Sequence, residues 1–166
     1  MKYITEEMWP GSFGIDKTDR SWKLLDTLWE SRMALYREEL ATIANRLDVR
    51  VARRFATTDF HGFHLEKMEL MQGERIAKSR VTIRLEVSDG TERYEVVFKS
   101  VQKFDVGTVE SARDDKDKDI WGFSEVLPAG DKNLSFEVIF SSGMSLHIIF
   151  PNKCLKVRKL QPSGDA

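Results

Sequence analysis

Ten apolar residues, Trp22, Leu25, Trp29, Met33, Tyr36, Leu40, Ile43, Leu47, Val51 and Phe55, follow one another at intervals of three or four and at no other interval. That period puts all of them on one side of an α-helix, so the stretch from Asp19 to Phe55 must find an apolar surface to lie against. Thr18 or Asp19 is the expected N-cap, after the punctuation of Pro10, Gly11 and Gly14. Unbroken, the helix would run for about 35 residues and about 50 Å, long for a small domain. Asn45 and Asp48 lower helix propensity, so a kink or break is expected at Asn45–Asp48.

The period then changes from helical to alternating. In "RVTIRLEV", Val81, Ile83, Leu85 and Val87 share one face, with Arg80, Thr82, Arg84 and Glu86 on the other. "SDGTE" carries the Asp-Gly hairpin signal, and "RYEVVFKSVQKF" resumes as an extended run with Tyr94, Val96 and Phe98 in register. "LSFEVIF" aligns Leu134, Phe136, Val138 and Phe140; "SSGM" turns the chain; "SLHIIF" returns it; and "KCLKVRKL" forms a last short strand after Pro151. The expected fold class is α+β: one long N-terminal helix, broken or not, packed on an antiparallel meander sheet of about five or six strands. The 166 residues suit a single domain. It divides into an N-terminal segment at 1–18, a helical part at 19–56, a β-rich part at 59–160 and a disordered tail at 161–166. The charged stretch from Val106 to Asp119 is expected to be an exposed loop.

Candidate chemistry concentrates in "TTDFHGFHLEKMEL", which holds Asp59, His61, His64 and Glu66. Zinc needs three or four converging ligands. On a strand, residues three apart point to opposite faces, which separates His61 from His64 unless the chain bends at Gly62. His147 is the third candidate. Binding of a metal or a small ligand through His61, His64 and His147, with Glu66 as a further metal candidate, is therefore an alternative, and histidines built into the sheet are the expectation; no metal and no cofactor is assigned. "DDKDKD" alternates acids as a calcium loop does. Counted from Asp115, however, it has Ile120 and Val126 where that loop needs glycine and glutamate, so a solvated loop is expected.

Arg46, Arg50, Arg53 and Arg54 form a basic patch at the end of the helical part. Cations there meet the helix dipole favourably, and a nucleic-acid accessory role is the functional alternative. Net charge is −1 and pI about 6.3, so no broad attraction to nucleic acid or to an anionic membrane is implied. Leu24, Leu28 and Leu35 fall together well away from the main helical stripe, at about 100° per residue. A helix apolar on two sides is sandwiched or meets a partner, so these three leucines are the candidate interaction residues. The lone cysteine, Cys154, implies no disulfide. "MKYITEEMWPGSFG" has no signal-peptide pattern and no apolar run is long enough to span a membrane, so a cytoplasmic location without a membrane partner is expected. No Ser/His/Asp order, phosphate loop, CxxC pair or HExxH motif occurs, which leans away from an enzyme.

The succession "MKYITEEMW", long amphipathic helix, "FHGFHLEKMEL", "RVTIRLEVSDG", "YEVVFKSVQKF", "WGFSEVL" and "LSFEVIFSSGMSLHIIF" resembles the uncharacterised bacterial DUF4085-like proteins and, more loosely, small immunity-like α+β proteins. The resemblance implies a His-Asp pair opening the first strand, matched here by His61 with Gly62 in place of the aspartate. It also implies a Trp-to-Glu segment before the last hairpin, matched by Trp121 and Glu125. It implies a fold pattern and no activity. The functional expectation is a non-enzymatic protein-interaction domain, immunity-like in its narrower form, acting on a protein partner or on itself.

Overall fold

A computed structural model of the chain describes residues 1–3, 19–57, 59–73, 80–108 and 119–161, with helical side chains from residue 26 onward. Three expectations lie wholly or partly outside these residues: the N-terminal segment at 4–18 with Thr18 as its cap, the run "DDKDKD" up to Lys118, and the tail beyond Gln161.

The apolar period folds as expected. Helix α1 spans Asp19–Ile43, a 3-10 turn covers Ala44–Arg46, and α2 spans Val49–Thr57. Tyr36, Leu40, Ile43, Leu47, Val51 and Phe55 are all buried. The break falls where Asn45–Asp48 placed it, and its cause is local. Leu47 is extended (φ −102°, ψ 160°), which swings the chain while its side chain enters the core. Asp48 then starts α2: its Oδ1 accepts from Arg50 N at 3.0 Å and its carbonyl from Ala52 N at 2.9 Å. Arg46 fixes the elbow by donating to Asn152 Oδ1 (3.0 Å), Gly130 O (2.6 Å) and Asn133 O (2.6 Å).

The β-rich part holds eight strands in two four-stranded antiparallel sheets, more than the five or six expected and not one meander. The strands are β1 His64–Gln72, β2 Val81–Ser88, β3 Arg93–Val101, β4 Lys103–Thr108, β5 Trp121–Pro128, β6 Asn133–Phe140, β7 Met144–Pro151 and β8 Leu155–Leu160. One sheet has the order β1-β2-β3-β8 and the other β4-β7-β6-β5. The reason lies at two corners. "RYEVVFKSVQKF" breaks at Ser100, with φ +57°, and the chain between β7 and β8 breaks at Lys153, with φ +64°. Both residues sit in the left-handed region, which turns a strand sharply. Because β3 pairs with β8 and β4 with β7, the two bent strands form one antiparallel ribbon that passes from sheet to sheet. Gln102 N to Ile149 O and Lys99 N to Cys154 O, both 2.8 Å, hold the ribbon together through the corner.

The inner faces of the two sheets and the helices share one core. Phe98 of the first sheet meets Phe136 and Phe150 of the second at ring distances of 4.8 and 5.3 Å. Full burial of each such aromatic contributes roughly 1.5–3 kcal/mol. Asp89-Gly90 makes the expected β2–β3 turn: Asp89 Oδ1 accepts from Thr91 N and Glu92 N, and Gly90 has φ +87°. Each sheet has one edge strand in contact with a helix, β5 with α1 and β8 with α2. The other edges, β1 and β4, make no extensive contact with a helix among the described residues.

Candidate functional site

The chain does bend at Gly62, whose φ is +84°. Asp59 begins the bend: its N donates to Arg54 O at 3.1 Å, and its Oδ1 accepts from His61 N at 2.7 Å. Its Oδ2 accepts from Ser124 Oγ at 3.1 Å, and burial pushes the Asp59 carboxyl up from its ordinary range. His61 Nδ1 donates to Gly122 O at 2.5 Å, and its ring stacks on Phe123 at 4.9 Å. Since a carbonyl only accepts, this contact puts the proton on Nδ1. His64 opens β1 and bridges to Ile120. Glu66 is exposed on β1.

His147 lies elsewhere, on the outer face of the second sheet. The strand register lines up Asp105, His147, Glu137 and Glu125 across β4, β7, β6 and β5. His147 Nδ1 is 3.5 Å from Asp105 Oδ2, and its Nε2 is 3.9 Å from Glu137 Oε1. The start of the chain lies on the same row: the Met1 amino group is 2.5 Å from Glu137 Oε2, and Lys2 N and Tyr3 N donate to Glu125 at 2.7 and 2.8 Å. Among the described residues, no three His, Cys, Asp or Glu side chains come together as a metal site would require. Cys154 is a partly buried free thiol packed against the core. Trp121 and Glu125, the pair the resemblance pointed to, are both buried.

The interaction leucines divide. Leu35 is exposed, Leu28 is half-buried, and the Leu24 side chain lies outside the described residues. Trp29 of the main stripe packs on Phe123 at 4.7 Å. Sequence reasoning missed a second set of apolar side chains. Met68 pairs with Leu85 and Leu70 with Ile83, and directly paired residues share a face. Leu85 and Ile83 are core residues, so Met68 and Leu70 stand on the core side of β1, yet they are 41% and 57% exposed. Val106 of β4 repeats this: it pairs with the buried Leu146 and is 54% exposed. The alternation in "HLEKMELMQ" was legible, but which strands are edges depends on pairing between distant segments, and no local pattern encodes that.

The basic patch also divides. Arg46 is consumed by the elbow. Val51 and Phe55 commit one side of α2 to the core, which turns Arg50, Arg53 and Arg54 toward an open cleft of about 500 Å³. Tyr94 of β3 and Arg158 and Lys159 of β8 complete that cleft. The Arg54 guanidinium lies over Phe60, Tyr94 and Phe63 at 4.5, 4.8 and 5.4 Å from the ring centres. Arg158 pairs with the buried Glu95, which also receives Arg84 Nε at 2.8 Å. Lys159 and the Tyr94 hydroxyl both engage Glu92.

No family model matches this sequence, and a search of curated proteins gives no match either. No helix among the described residues is long and apolar enough to cross a membrane.

Proposed function

We propose that this chain is a non-enzymatic protein-interaction domain that associates with a second copy of itself through β1. The observation that supports this is the exposure of Met68 and Leu70 on the core side of an edge strand. An edge with apolar side chains on its core face invites another strand.

A second copy of β1 suits that edge in both apolar contact and charge. Antiparallel pairing about a two-fold axis at Met68 sets Met68 against Met68, Lys67 against Glu69, and Glu69 against Lys67, with Leu70 opposite Glu66 and diagonal to the partner copy's Met68. Lys67 and Glu69 already lie 2.8 Å apart within the strand, so each is positioned on one face to exchange its partner. The immunity-like form of the reading is carried by the resemblance alone.

Analytical ultracentrifugation tests this. The wild-type chain is expected to be a reversible dimer, weakened by Met68→Lys. Lys67→Glu is expected to weaken it too, by setting like charges opposite each other, and Lys67→Glu with Glu69→Lys to restore it. A wild-type chain that stays monomeric up to its solubility limit would sink the proposal.

A further inference from the structure

The cleft between α2 and the β3–β8 pair is lined by five cationic side chains, Arg50, Arg53, Arg54, Arg158 and Lys159. Arg158 and Lys159 have carboxylate partners in Glu95 and Glu92. Arg50, Arg53 and Arg54 make no ion pair among the described residues, and Arg54 Nε is buried without a hydrogen-bond acceptor. A buried charged donor without an acceptor is costly, and an incoming anion would relieve that cost.

We propose that this cleft binds the phosphate group of a small organic phosphate monoester. With no side-chain ion pair at Arg50, Arg53 or Arg54 among the described residues, the cleft keeps more positive charge than one carboxylate would balance. A phosphate monoester brings nearly two negative charges and three acceptor oxygens, matched to forked guanidinium donors. The volume, about 500 Å³, lies in the range of small-molecule sites. Tyr94 and Val157 give the rest of such a ligand an apolar wall. The rim favours a short ligand over a nucleic-acid strand. Asp48 stands beside Arg50 at the start of α2, and Glu92 stands beside Lys159, so a polyanion running out of the cleft would meet carboxylates.

The test is isothermal titration calorimetry on the full chain at low salt, with inorganic phosphate, adenosine 5′-monophosphate, adenosine and a short oligothymidylate as probes. The expected result is saturable one-site binding of the monophosphate, of inorganic phosphate, or of both, and none of adenosine. Arg50→Gln with Arg53→Gln should weaken that binding about tenfold or more, because charge-assisted bonds are lost. Both side chains are exposed, so the double variant should melt as the wild type does; Lys132→Gln, in the exposed turn between β5 and β6, should bind as the wild type. The proposal is overturned if neither phosphate probe binds, if the double variant binds as well as the wild type, or if the oligothymidylate binds more tightly than the monophosphate.

Discussion

Among the described residues, each sheet has one edge in contact with a helix and one edge that no helix covers, and the two kinds of edge treat the same residue types in opposite ways. Beside β5 and β8, the apolar side chains of α1 and α2 are buried, among them Tyr36, Leu40, Val51 and Phe55. On β1 and β4, Met68, Leu70 and Val106 face the core side and remain exposed. Burial here follows from what covers an edge and not from hydrophobicity. The covered side holds the fold, and the proposed self-association would use the apolar surface of the other.

The sharpest way to break that contrast is a pair of truncations. Leu40→Ala, at a covered edge, should cost about 2–5 kcal/mol in chemical denaturation. Leu70→Ala, at a bare edge, should change protomer stability by no more than about 0.5 kcal/mol. Equal costs would mean that the β1 edge is covered as firmly as the β5 edge.

A smaller effect is expected from Tyr36→Phe. The Tyr36 hydroxyl accepts from Val126 N at 3.0 Å, joining α1 to β5 at a buried point. Deleting that acceptor strands a buried N–H, for about 1–3 kcal/mol of destabilisation by urea titration. No loss would mean that the helix is held by apolar packing alone.

Titration separates the edges a third way, with the smallest expected effect. On the bare edges, hydrogen bonds from Lys67 and Lys103 hold Glu69 and Asp105 below the usual carboxylate range. Beside β5, burial raises Asp59. A raised carboxyl favours folding in its protonated form, so its contribution is complete below the ordinary aspartate pKa and is lost as pH rises through the raised one. Wild-type stability should therefore fall relative to Asp59→Asn as pH rises from about 4 toward 7. A difference that stays flat across that window would show that Asp59 ionises as freely as a surface aspartate.

Much of the covered half was legible in the sequence, because its signals are local. The interval of three or four named the buried side of both helices, and Asn45 and Asp48 marked the elbow between them. The strand runs were found for the same reason. What escaped was every fact that depends on pairing between distant segments. Nothing in "KSVQKF" announces that Ser100 turns the strand into a second sheet. The arginines of α2 were singled out, but Tyr94, Arg158 and Lys159 join them only because β3 pairs with β8 under that helix. The three histidines drew attention by residue type, and the fold distributes them to a turn, a strand start and an outer sheet face.

The ribbon that turns at Ser100 and Lys153 bears on how the molecule comes apart. Since its two strands serve both sheets, neither sheet can lose its order while the other keeps all of its hydrogen bonds. The two sheets therefore behave as one cooperative unit in place of two that melt in turn. The amides of Lys99 and Gln102, closed onto Cys154 and Ile149 within that corner, should exchange with deuterium only when the whole domain opens. They would report the global unfolding free energy from a single turn of the chain.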